Sequence, residues 1–317
     1  MEKTRRIDWQ QLVIYIGTVA VFMLFTILCA ATGRSFLSWV NISNIIVQTS
    51  IIAILAAGAS FVIITGGIDL SIGSIVGFCV MVMAVAMKAG VPVVGGVLLS
   101  LAIGLVMGLA NGLLISYAKL PAFIATLGML SIGRGGALAI TGGKSLSGFD
   151  ASLSKLANTT IAGIPIFIFY VAIVYVIFVL LAKKSKFGRY VYAIGGNRNA
   201  ARLSGINVGK FETITYAVAG LLGGFASVML LSRLVYASPT SGNGYELDVI
   251  AAAVIGGISL SGGQGKVINT LFGALILGIL KCGLQMLNVS TFYQEIATGV
   301  VIILAVFFDK AKDRKAE

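Results

Sequence analysis

The sequence predicts an all-α fold, a polytopic membrane helix bundle of about ten transmembrane helices with both termini in the cytoplasm. Three observations carry that reading. Apolar residues fill 58% of the 317 positions and charged residues only 11%, against about 25% charged in a typical soluble domain. The apolar residues come in blocks of the length needed to cross a bilayer core, about 20 residues for about 30 Å. The basic residues cluster in alternate gaps between the blocks, which sets orientation.

The blocks place spans at about 12–31, 43–65, 71–90, 93–116, 122–141, 163–182, 213–232, 247–262, 267–286 and 294–308. The eighth and tenth are short, and 36–46 reads as an interfacial helix leading into the second span. The charged start, 1–10, precedes a run too long for a cleaved leader, so the first run reads as a retained helix. With ten spans, every basic residue except Arg34, Lys88, Arg134, Lys144, Lys155, Arg233 and Lys281 falls on the side of the termini. The positive-inside rule makes that side cytoplasmic. The net charge of +12 is therefore a membrane signature and not a nucleic-acid footprint. The whole chain, 1–317, reads as one transmembrane domain in membrane lipid.

Composition also bounds the chemistry. There is no histidine, which removes the usual zinc ligand and the usual neutral-pH proton shuttle. Cys29, Cys79 and Cys282 are scattered in apolar runs and read as small buried hydrophobes. No metal site, no cofactor in this chain and no enzymatic activity of the isolated chain are expected. The 40 glycines instead suit helix packing in lipid, where small residues let backbones approach. Gly104, Gly108 and Gly112 recur on one helix face, and Ala56-Ala57-Gly58-Ala59 and Gly220, Gly223, Gly224 do similar work.

One connection on the cytoplasmic side differs from the rest. It runs over about 183–212, and within it Asn197 can cap a short helix that Gly205 ends. Over 198–204 that helix would place Arg198 and Arg202 on one side and offer Ala200, Ala201 and Leu203 as a small apolar surface. A helix this short needs a partner to order it.

Here the sequence resembles a family. The stretch Gly195-Gly196-Asn197-Arg198-Asn199-Ala200-Ala201-Arg202-Leu203-Ser204-Gly205-Ile206, with Gly188-Arg189 before it, is similar to the cytoplasmic coupling loop of the ribose-type permeases of ATP-binding-cassette importers. Gly66-Gly67-Ile68-Asp69-Leu70-Ser71-Ile72-Gly73-Ser74, Leu120-Pro121-Ala122-Phe123-Ile124-Ala125-Thr126-Leu127-Gly128 and Gly244-Tyr245-Glu246-Leu247-Asp248-Val249-Ile250-Ala251-Ala252 resemble the same family, in the same order. The resemblance covers nearly the whole chain. It implies a permease homodimer, a cytoplasmic ATPase that holds the ATP and magnesium, and an extracytoplasmic sugar-binding protein. On that reading Gly188, Arg189, Gly195, Asn197, Arg198, Ala200, Ala201, Arg202, Ser204 and Gly205 form the ATPase-coupling loop.

Polar residues at membrane depth are the other candidates, because they are costly there and usually sheltered or functional. Asp69 and Ser71 follow a helix-breaking Gly66-Gly67 and read either as a helix cap or as part of a pathway or gate, with Asn111, Phe123, Thr126 and Arg134 as further pathway candidates. Arg134 either snorkels outward or lies against a water-filled vestibule. Asn44, Gln48 and Gln285 are further polar residues in the spans, suited to helix–helix bonding or to a weak sugar surface.

A short echo, Gly256-Gly257-Ile258-Ser259-Leu260-Ser261-Gly262-Gly263, repeats much of the Gly66 motif. Its continuation Leu260-Ser261-Gly262-Gly263-Gln264 spells the signature peptide of the cassette ATPases, yet no phosphate loop accompanies it: Gly265-Lys266 is followed by Val267, and Gly143-Lys144-Ser145 has Leu138 where the first glycine belongs. It reads as a turn between helices. The competing reading, an ion-coupled secondary sugar transporter, needs internal coupling carboxylates and no coupling loop.

Overall fold

The structure is a computed structural model that describes residues 9–313. Lys3, Arg5, Arg6, Arg314 and Lys315, on which the placement of the termini draws, lie outside the described residues. The helices are α1 (Trp9–Ala31), α2 (Trp39–Ile64), α3 (Ile72–Lys88), α4 (Val93–Ser116), α5 (Ala122–Ala139), α6 (Ala151–Asn158), α7 (Ile166–Lys184), α8 (Lys186–Gly196), α9 (Arg198–Leu203), α10 (Val208–Leu234), α11 (Tyr245–Ile255), α12 (Val267–Met286) and α13 (Thr291–Asp313). Among the described residues, 7 helices are long and apolar enough to cross a membrane: α1, α2, α4, α5, α7, α10 and α12. The helix α3 and the apolar part of α13 are shorter.

Each predicted run contains a helix, and α4 has the predicted bounds. Two expectations need correction. Residues 36–46 form no separate interfacial helix: Ser38 accepts from Asn41 N and starts α2, which then runs unbroken from Trp39. The run 247–262 is helical only over Tyr245–Ile255, because Gly257 turns left-handed (φ +78°) directly after it.

Two helices form the centre. Of the most apolar windows, 78% of α2 and 72% of α10 is buried, against 17–28% for α1, α4, α5 and α7. A helix buried on all sides must be apolar all round, and α2 meets this with Ala53, Ile54, Leu55, Ala56, Ala57, Gly58 and Ala59 in sequence, all buried.

The glycine face joins α4 to α10. A Cβ on Gly104 would overlap Gly220 O, one on Gly108 would overlap Tyr216 O, and one on Gly112 would come within 2.7 Å of Thr213 Cα. At the far end of the seam Ser100 Oγ donates to Gly224 O at 2.9 Å and lies 2.5 Å from Ser227 Oγ. Gly223, on another face of α10, packs against Ile75 of α3. A side chain at Gly108 has backbone in its way and no flexible neighbour to displace. Gly108→Val is therefore expected to destabilise the bundle by about 3 kcal/mol, the upper end of overpacking costs. It should show as a lower melting temperature of the detergent-extracted protein. An unchanged melting temperature would mean that the seam tolerates separation.

The chain ends of these elements sort to two sides. One side carries α8 and α9, the end of α2, the end of α4 and the loop after α11, tied by Gly263 N donating to Ile64 O at 2.8 Å. The opposite side carries α6, the short antiparallel pair β2 (Thr160–Ile161) with β3 (Ile164–Pro165), and the pairing of β1 (Leu146–Ser147) with β4 (Tyr236–Ala237).

Candidate functional site

The connection between α7 and α10 is a built object. Lys183 and Lys184 complete α7, Glu212 already lies in α10, and the segment between them folds as two helices rather than one. Ser185 accepts from Gly188 N at 3.0 Å and so caps α8, the helix that the sequence pattern did not suggest. Gly188 is buried where a Cβ would overlap the carbonyls of Leu181 and Ala182 at the α7–α8 elbow, and Arg189 follows it on the same helix. Gly195 lies against Ile64 O and Gly263 N, with no space for a Cβ. Tyr192 of the same helix donates to Gly265 O at 2.8 Å, and burial pushes its phenol up. Thus α8 is seated on the end of α2 and on the glycine-rich turn 259–265. That turn is the signature-peptide look-alike, and its glycines serve close backbone packing.

The second helix, α9, is capped as the sequence suggested. Asn197 Oδ1 accepts from Ala200 N at 2.9 Å. Gly205 closes it at φ +81°, with Gly205 N donating to Arg202 O and Ile206 N to Ala201 O, the double bond of a left-handed helix end. The expectation that Ala201 belongs to the surface offered to a partner is corrected. Ala201 is 4% exposed and packs inward on Ile194, Val208, Ile206 and Phe211. Leu203, at 89% exposed, is the apolar side chain left outside, flanked by exposed Ala200, Arg202 and Ser204.

Arg198 ties this helix to the bundle. Its guanidinium makes a two-pronged ion pair with Glu212, with Nη2 2.7 Å from Oε2. Glu212 is 3% exposed and also accepts from Ser116 Oγ at the end of α4 at 3.4 Å. Planar guanidinium on carboxylate fixes orientation as well as charge. The start of α10, the end of α4 and α9 are therefore held at one point. Sequence reading missed Glu212, although an acid opening an apolar span beside a basic loop was a usable signal.

The predicted pathway residues divide. Four come together where α2, α3, α4 and α5 meet. Asp69 Oδ1 accepts from Ser71 N at 2.8 Å and from Ser71 Oγ at 2.6 Å. Ser71 Oγ accepts from Asn111 Nδ2 at 2.8 Å. Thr126 Oγ1 donates to Ala122 O at 2.8 Å and lies 3.4 Å from Ile68 O. All four are buried; the Asp69 bond to Ser71 N is a turn of side chain on backbone that leads into α3, and Ser71, which precedes the helix, makes no side-chain cap bond. Asp69 Oδ2, Asn111 Oδ1 and the Tyr216 hydroxyl are buried with no hydrogen-bond partner among the described residues. Phe123, 52% exposed, stands outside this cluster.

Arg134 lies further along α3 and α5 than this cluster, beside Gly77, and does not snorkel. Nη1 donates to Ser241 O at 2.7 Å and Nη2 to Gly242 O at 2.8 Å, and Nη2 lies 3.7 Å from Glu246 Oε2. It holds the loop that precedes α11. Gly73 and Gly77 of α3 clear the space, since a Cβ on Gly73 would overlap Glu246 and one on Gly77 would lie 2.5 Å from Ser241 O.

A polytopic helical membrane protein with a compact two-helix loop fixed at one end is the class these features define. The sequence profile of the branched-chain amino acid transport system permease component matches residues 41–306. The ribose import permease protein of Bacillus subtilis is 41% identical over 310 residues, 97% of this chain and 96% of the relative. The xylose transport system permease protein of Haemophilus influenzae is 34% identical over 95% of this chain and 97% of its own length. The D-allose transport system permease protein of Escherichia coli is 37% identical, covering 91% and 90%. No solved structure matches the chain. The chain belongs to this family of transport-system permeases and is a multi-pass inner-membrane protein.

Proposed function

We propose that the chain is the membrane-spanning permease of an ATP-binding-cassette importer that moves a monosaccharide, ribose or a related sugar, into the cytoplasm. The carrying observation is the 41% identity to a ribose import permease over 97% of the chain. The two-helix loop, seated on α2, α4 and α10, supports it as the part that a cytoplasmic ATPase would grip. ATP and magnesium belong to that ATPase, and an extracytoplasmic binding protein delivers the sugar to the side of α6. Two copies of the chain pair as a homodimer, and no nucleic acid takes part.

On this reading α6, α8 and α9 lie outside the membrane and the ten remaining helices enter it, with both termini in the cytoplasm. The 11 residues of α11 reach only about 16 Å at 1.5 Å per residue. The loops at its two ends complete the crossing, which non-helical backbone does only where protein shelters it. Arg134 on one loop and the Gly195 contact beside the other provide that shelter.

The test is a mild-detergent pull-down of the tagged chain from its native membrane, followed by reconstitution. Recovery of an ATPase, with ribose, xylose or allose uptake that requires ATP and the binding protein, is the expected result. Recovery of the chain alone, still moving sugar under an ion gradient, would establish a secondary carrier instead.

A further inference from the structure

A polar cavity of about 320 Å³ opens between α2, α10, α11 and α12, in their halves remote from α8 and α9. It is apart from the Asp69 cluster and from Arg134. Three features separate it from ordinary helix packing. First, the amides of Gln48 and Gln285 line it, and neither makes a side-chain hydrogen bond among the described residues. Amides at membrane depth normally bond a neighbouring helix, and an amide facing lipid with nothing to bond is costly. Asn44, one turn before Gln48 on the same face, is exposed as well. This side of α2 is therefore a poor match for lipid.

Second, Thr49 sits in the wall at 3% exposed with its hydroxyl unpartnered among the described residues. Its neighbour Ser50 behaves as helical hydroxyls usually do and bonds Ile46 O four residues back at 2.7 Å. Across the wall a Cβ on Gly278 of α12 would overlap the Thr49 hydroxyl, so glycine makes the space in which that hydroxyl sits.

Third, the charges are arranged to leave hydrogen-bonding capacity over. Lys281 pairs with Asp248 at 2.5 Å, whereas Arg233 has no carboxylate partner among the described residues. Tyr245 adds an aromatic face. The cavity is at the small end of ligand clefts, which run from about 300 Å³. An anion would need donors alone. Here two amides offer acceptors as readily as donors, the match for a ring of hydroxyl groups that are both.

We infer that this cavity binds a small neutral polyhydroxylated solute and is the first station of the sugar inside the permease. The inference rests on the importer reading above. The wild-type chain, its ATPase and its binding protein are reconstituted together in lipid vesicles and assayed with ribose, xylose and allose. Gln48→Leu and Gln285→Leu are each expected to lower the initial uptake rate about tenfold, the effect of one lost hydrogen-bonding group. In a second measurement Gln285→Cys is labelled with a membrane-impermeant maleimide. The native cysteines are buried, so labelling reports on the introduced thiol, and the transported sugar should slow it whether or not the leucine variants fold. Wild-type import with full import by both leucine variants, or labelling indifferent to sugar, overturns the pocket alone. Protection by a sugar phosphate and not by the sugar overturns the neutral assignment. A wild-type complex that imports none of the three sugars overturns the importer reading, and the pocket with it.

Discussion

Ala201→Arg is expected to abolish transport while the protein still inserts and still extracts as a folded bundle. Ala201 packs on Ile194 of α8 and on Val208, at the start of α10, with Ile206 and Phe211 beside it. An arginine there has two outcomes, both damaging: it buries an unpaired charge or it lifts α9 off its seat. Six residues cannot hold a helix without packing, so α9 loses its position relative to α10 and α4. The rest of the core, centred on α2 and α10, is untouched because this small cluster is separate from it. Gly205→Pro should act by a different route to the same end. Gly205 has φ +81° and donates its N–H to Arg202 O, whereas proline is held near φ −65° and has no N–H. Uptake of sugar by the reconstituted complex, with membrane abundance of the chain as the control, is the measurement. Normal uptake by either variant would show that α9 transmits nothing.

Much of this architecture was legible in the sequence because its determinants are local or periodic. The bounds of α4 follow from a run of apolar residues, the cap of α9 from Asn197 and its end from Gly205. The close-packing face of α4 follows from glycine every fourth residue, although that it meets α10 does not. What escaped was set by distant partners. The orientation of Ala201 depends on Ile194 and Val208, on two other helices. Nothing in the sequence near Gly195 announces that it faces Ile64 O and Gly263 N. The echo motif misleads for a related reason. Matched by identity, Gly66 aligns with Gly256, yet the left-handed turn residues are Gly66 and Gly257, one position apart in that alignment. Similar letters here serve similar helix ends in different registers.

The role of Arg134 was the least legible, because its partners are mainly main-chain carbonyls, which every residue carries. Its removal should also be among the costliest changes. The side chains of Arg134 and Glu246 are 19% and 16% exposed, and Glu246 Oε2 is buried with no hydrogen-bond partner among the described residues. Arg134→Met would strip the guanidinium from two carbonyls and leave that carboxylate without its counter-charge. Breaking a buried pair from one side costs about 3–5 kcal/mol, and the loop that starts α11 would lose its clamp to α3 and α5. A marked fall in melting temperature in detergent is expected. Arg134→Lys keeps the charge but not the two-pronged geometry, so it should fall between Met and wild type. Adding Glu246→Gln to Arg134→Met should restore part of the loss, since the orphaned charge is then gone and only the carbonyl bonds are missing. If Arg134→Met melts at the wild-type temperature, the loop before α11 is held by other contacts. If the double variant is no better than the single one, the carbonyls and not Glu246 account for the effect.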